Sequence, residues 1–124
     1  MAIPAQSGVQ WAVDSLRNGS SIYTVTFTAA SQVTDILELY DRTITTVHVF
    51  GTFNSQTVTL QGFNVNSASS TPLTLHREDS LASSFDTVSA DLLANIVENP
   101  RYLVAKSDGA VTSVTVALVV VNRV

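Results

Sequence analysis

Residues 43–63 read TITTVHVFGTFNSQTVTLQGF, and the fold class follows from that stretch. Val47, Val49, Val58 and Leu60 alternate with Thr, His and Gln, the period of two that marks a strand with one buried face. Asn54 and Ser55 stand between the two runs, and both residue types tolerate turn conformations. A two-residue loop there pairs Phe53 with Gln56, Gly51 with Val58 and Val49 with Leu60. The stretch is therefore expected to form a hairpin. Val47, Val49, Val58 and Leu60 would share one face, and Thr46, His48, Phe50, Thr52, Thr57, Thr59 and Gln61 the other. A slip of one residue would set valines against threonines, so the pattern specifies the register as well. Gly51 is expected to leave room for the facing Val58.

The whole chain has the same character. Its 124 residues suit one domain with a real core, 45% of them apolar and only 13% charged. Low charge with abundant Ser and Thr suits β structure with hydroxyl-rich outer faces. The net charge of −4 and the scatter of the six basic residues exclude the basic patch that nucleic acid or an anionic membrane requires. There is no cysteine, which removes disulfides, thiolate nucleophiles and Cys-bound zinc. Residues 1–11 carry neither a basic n-region nor an apolar h-region and are not read as a signal peptide.

Outward from residues 43–63, the pattern repeats. Residues 1–8, with Pro4 and Gly8, read as an extended arm before a single domain of residues 9–124. Val9, Trp11 and Val13 alternate, Asn18-Gly19 signals a turn, and Tyr23, Val25 and Phe27 alternate again, which predicts a second hairpin. Residues 34–40 (TDILELY) place Ile36, Leu37 and Tyr40 at helical spacing, but the segment is short for a helix, and an extended or loop reading is preferred. Residues 64–71 read as a polar loop. Leu73 and Leu75 alternate in a short strand, and residues 78–84 read as a surface loop before Phe85 re-enters the core. Strands are expected at 92–97 and 101–106 around a Pro100 corner, then a turn at Ser107-Asp108-Gly109. A last strand spans 111–121, with Val114, Val116, Leu118 and Val120 on one face. About eight short strands without a helical pattern predict an all-β, antiparallel β-sandwich or jelly roll.

No motif points to catalysis. His48 falls on the threonine face and reads as an exposed sheet histidine. His76, Arg77, Glu78 and Asp79 are adjacent, so strand geometry would splay them to opposite faces rather than gather them on a metal. Asp41 with Arg42 reads as a surface ion pair. Asp35 with Glu38, and Asp86 with Asp91, show no cleft that would shift a carboxylate pKa. Gly-rich phosphate loops, G-x-S-x-G, H-E-x-x-H and EF-hand ladders are all missing. Trp11, Tyr23 and Tyr40 could stack on a sugar, but lone aromatics in β domains serve the core or its rim. The expectation is a non-enzymatic protein with no catalytic, cofactor-binding or metal residues.

Residues 40–64, YDRTITTVHVFGTFNSQTVTLQGFN, resemble a family of small β-sandwich structural proteins of tailed bacteriophages. Members carry an Asp-Arg or Asp-Lys before a strand, then G-T-F, a tight turn and T-V-T-[IL]-x-G-[SF]-N. The matching residues are Asp41, Arg42, Gly51, Thr52, Phe53, residues 57–60, Gly62 and Asn64. Residues 98–104 are similar to the family's E-x-P-R-Y-[LI]-V, and the valine-rich final strand follows Asp-Gly-Ala as theirs does. The chain departs from the family after Asn64, where many members have N-D-G-x-x-W and this one has VNSASSTPLTL.

The resemblance implies a virion protein, made in a bacterial host cytoplasm and placed on the capsid surface. There it would decorate or cement the shell by bridging subunits of the major capsid protein, commonly as a homotrimer. A neck or tail protein and a glycan-binding module on the virion are the alternative readings. The residues suggest where contacts would form. Ala117, Val119 and Val121 lie on the second face of the last strand, where they would be exposed together, with Phe50 beside them. Ile3 is the one large aliphatic group of the arm and is expected to anchor it on a neighbour.

Overall fold

The structure, a computed structural model, describes residues 8–16, 19–40, 42–67, 72–77, 80–85, 88–96, 98–109 and 113–122. None of these is helical. Eleven strands carry them: β1 (Ala12–Ser15), β2 (Ser21–Phe27), β3 (Leu37–Glu38), β4 (Arg42–Thr52), β5 (Thr57–Phe63), β6 (Leu73–Thr74), β7 (His76–Arg77), β8 (Ser80–Ser84), β9 (Leu92–Ala94), β10 (Tyr102–Asp108) and β11 (Ser113–Asn122). The extended reading of residues 34–40 holds, with Leu37 and Leu39 buried and Glu38 and Tyr40 exposed.

Two antiparallel sheets face each other. One has the order β1-β2-β11-β4-β9 and the other β3-β10-β5-β6, while β7 and β8 pair as a separate ribbon. The fold is thus the β-sandwich that the alternation predicted. β11 sits at the centre of the larger sheet because it is long, β-branched and can be paired on both sides. Its Val114, Val116, Leu118 and Val120 all point inward and are fully buried. They meet Val25 and Phe27 from β2 and Val47 and Val49 from β4 in the same layer. Val58 and Leu60 of β5 with Leu103 and Ala105 of β10 close the core from the opposite sheet. Burying each large apolar side chain contributes roughly 1.5–3 kcal/mol, so this layer, not any one turn, holds the sheets together.

The hairpin expected at residues 43–63 forms only its turn. Asn54 and Ser55 both take positive φ, 53° and 60°, and Gln56 N–H donates to the Phe53 carbonyl at 2.9 Å. Beyond that bond the strands part. β4 pairs with β11 and β9, and β5 pairs with β10 and β6, in different sheets. The valines do share one interior, but from opposite walls. Phe53 is buried at the bend and carries the chain across the end of the core. Gly51 has a different role from the one expected. It adopts φ +136° against β11, and a Cβ there would collide with the Ser113 carbonyl oxygen. Thr59, read as part of an exposed hydroxyl face, is only 7% exposed.

Other boundaries shift for similar reasons. β1 begins at Ala12, later than the alternation suggested. Val9 bridges Thr34 in parallel instead, and Trp11 donates its indole N–H to the Asp35 carbonyl at 3.0 Å. β1 and β2 pair as the second hairpin, although Asn18 of its turn lies outside the described residues. Leu73 and Leu75 do not share a face: Leu75 is buried and Leu73 is 69% exposed. Residues 80–84, read as loop, form β8. Phe85 does return to the core, where it is fully buried.

Candidate contact surface

The outward face of the five-stranded sheet is built by the same alternation that builds the core. Inward residues of β11 fall on even positions, so Thr115, Ala117, Val119 and Val121 face out. Their partners across the ladder are Phe50, His48, Thr46 and Thr43 of β4. On the other side Thr115, Ala117 and Val119 meet Thr26, Thr24 and Ile22 of β2. Leu93 of β9 extends the row beside His48 and is 66% exposed. The structure therefore brings Phe50, Ala117, Val119 and Val121 onto one face. Ile3 lies outside the described residues, as does the rest of the arm up to residue 7.

A bulge shapes this face. The register slips between Val119 and Val120, leaving Thr45 as the extra residue of β4. Thr45 is exposed, and its hydroxyl donates to the Val119 carbonyl at 3.2 Å. The slip keeps Ile44 against Val120 in the core and Thr43 against Val121 outside. His48 and Phe50 lie with ring centroids 4.5 Å apart, and the Thr26 and Thr115 hydroxyls bond at 3.0 Å. Over the three inner strands β2, β11 and β4, the outward face carries no carboxylate, Lys or Arg. Asp14 stands at the β1 edge, opposite Ile22. Sequence reading found the β11 and Phe50 positions but missed Ile22 and Leu93. The signal was there, since each alternates against residues that pack on the core, Tyr23 beside Ile22 and Leu92 and Ala94 beside Leu93.

Aromatic and charged groups gather around Tyr40 and the start of β4. Phe63 stacks on Tyr102 at 5.4 Å, and Tyr102 meets Tyr40 edge-on at 6.0 Å. Tyr40 has φ +51°, and its hydroxyl donates to a Glu38 carboxylate oxygen at 2.6 Å. Ionising Tyr40 would break that bond and set a phenolate beside a carboxylate, so its pKa is pushed up to about 12. The Arg101 guanidinium lies 5.6 Å from the Tyr40 ring centre, and Arg42 lies 5.4 Å from that of Tyr23. Asp41, the expected partner of Arg42, lies outside the described residues. Arg42 instead donates to the Tyr23 hydroxyl and to the Glu38 carbonyl.

His76 has a partner that adjacency in sequence did not show. Its backbone N–H donates to Glu98 Oε1 at 2.8 Å, and its Nδ1 lies 2.6 Å from Glu98 Oε2. Burial of Glu98 works to raise its pKa, but the hydrogen bonds and charge of His76 outweigh it and hold the carboxyl below its ordinary 4.5. Glu78 and Asp79 lie outside the described residues, and among those described no three His, Asp or Glu side chains converge as a metal set. Trp11 and Tyr23 are engaged at the core rim, and Tyr40 alone of the three stays exposed. Comparison with known protein families and with curated protein sequences gives no match for this chain.

Proposed function

We infer that this protein is a structural component of a tailed-phage virion, a decoration or cement protein that lays the outer face of its five-stranded sheet on adjacent capsid subunits. One observation carries the reading. The face over β2, β11 and β4 presents methyl and hydroxyl groups with the His48 and Phe50 rings, and no carboxylate, Lys or Arg, centred on Ala117, Val119, Val121 and Phe50. A sheet face that only meets water gains solubility from Lys and Glu, and nothing in the alternation prevents them here. Threonine and valine offer a flat, low-entropy surface that loses little on docking, since their χ1 angles are already restricted. The likeness of residues 40–64 and 98–104 to phage β proteins supplies the setting.

A protein that binds only the assembled shell shifts the equilibrium toward that shell in proportion to its occupancy. Attachment through an uncharged face has a signature: raising salt from about 0.1 to 1 M should not weaken it, because there are no ion pairs to screen. The chain is also expected to associate as a closed trimer. Val119→Asp tests the assignment, since the side chain is only partly buried in the free chain and would be covered in the complex. The variant should fold, melt close to wild type and fail to attach to depleted particles. Attachment equal to wild type would refute the docking face, and many copies per purified particle would support the capsid over the neck or tail.

A further inference from the structure

Beside the edge of the smaller sheet lies a cleft of about 390 Å³ with Phe63, Val65, Leu73 and Pro100 in its walls and the His76–Glu98 pair at its side. We propose that this cleft is a receptor for an extended polypeptide segment of a partner protein, taking one large aliphatic side chain between Leu73 and Pro100. This is a second attachment point, separate from the outer face of the five-stranded sheet and independent of the virion reading.

Three features lead to a peptide. The first is the rim. Val65 and Leu73 are 62% and 69% exposed, and both border this one cleft. Exposed aliphatics gathered around a concavity mark a binding surface, whereas scattered ones do not. The second is the backbone. β6 is two residues long and ends the β3-β10-β5-β6 sheet, so an extended segment can add beside it through main-chain bonds while a side chain drops into the cleft. Gly62, opposite Leu73 in the register, is packed against Pro100 and leaves the floor without a side chain. The third is polarity. The Glu98 oxygens accept two bonds from His76 and one from Glu98's own backbone N–H, which fixes the carboxylate and leaves one lone pair for an N–H donor of the incoming chain. A sugar would need an open ring face. Here Phe63 is buried and stacked on Tyr102, so aliphatic walls dominate.

The test uses the full ¹⁵N-labelled chain titrated with two blocked tetrapeptides, acetyl-Thr-Leu-Thr-Lys-amide and its Gly-centred counterpart. The Leu peptide should move the amide signals of Gly62, Leu73 and Leu75 saturably, with half-saturation at or below about 5 mM. The Gly peptide should bind at least about tenfold more weakly, the loss expected when one large side chain is not buried. Leu73→Asp should abolish the response with an unchanged melting curve. Val65→Asp, at the opposite rim, repeats the test if the first variant folds poorly. The proposal is overturned by no saturation with the Leu peptide, by equal binding of the Gly peptide, or by Leu73→Asp binding as wild type. Saturable binding of methyl β-glucoside with none of the peptide would overturn it in favour of a sugar site.

Discussion

Replacing Gly51 by alanine should cost far more stability than an exposed strand position suggests. Gly51 holds φ +136°, a region L residues rarely adopt, and forcing a side chain there costs about 1–3 kcal/mol. The added methyl would also overlap the Ser113 carbonyl oxygen and come within 3.0 Å of the Val114 Cα, both backbone atoms of the paired strand β11. A backbone cannot swing aside as a side chain can. β11 must retreat, and one or two ladder bonds near Ser113–Thr52 are lost at about 1 kcal/mol each. The sum is about 2–5 kcal/mol, a large share of the roughly 5–15 kcal/mol that holds a typical domain. At about 4 °C per kcal/mol for this size, the melting point should fall by about 8–20 °C. Gly109→Ala is the comparator. It also has positive φ, +75°, but the methyl meets the far end of the Gln56 side chain, which can rotate away. Its cost should stay near 1–2 kcal/mol. Urea unfolding followed by circular dichroism gives both values. A Gly51→Ala loss under about 1 kcal/mol, or one no larger than that of Gly109→Ala, would show that β4 and β11 are not packed as described.

Four further outcomes follow from the same geometry. Val116→Ala removes two buried methyl groups between Val25 and Val49 and should cost about 2–3 kcal/mol in urea melts, while Val119→Ala on the outer face should cost under about 1 kcal/mol. Thr59→Asp, harmless on the hairpin reading, should now destabilise by more than about 2 kcal/mol, because it places a charge at a buried position. Ultraviolet titration of the tyrosines should show one group ionising near pH 12, and Glu38→Gln should bring it back toward 10. Glu98 has a folded pKa below its unfolded value, so its contribution is present above about pH 4.5 and fades as pH falls through the folded pKa. Glu98→Gln should flatten that acid limb in urea midpoints taken from about pH 3 to 6, by only about a few tenths of a kcal/mol since the pair is partly solvated.

Much of this protein was legible in its residues. Alternation assigned the inward set of β11, the buried Val47, Val49, Val58 and Leu60, and the outward set that includes Phe50, Ala117, Val119 and Val121. Those assignments survive because a side chain's face depends only on the local pleat, which repeats every two residues whatever the strand pairs with. The turn at Asn54–Ser55 was legible for the same reason, since positive φ is a local preference. What the alternation could not say was which strand supplies each ladder. A hairpin and a crossing between sheets put the same valines in the same core, and they differ only in whether β5 or β11 satisfies the backbone of β4. That choice was made by β10 and β11, some 40 or more residues away in the chain, which pair seven positions of β5 and ten of β4. Gly51 against the Ser113 carbonyl and His76 on Glu98 both followed from that choice. Each is a contact between distant segments, and distance along the chain carries no periodicity to read.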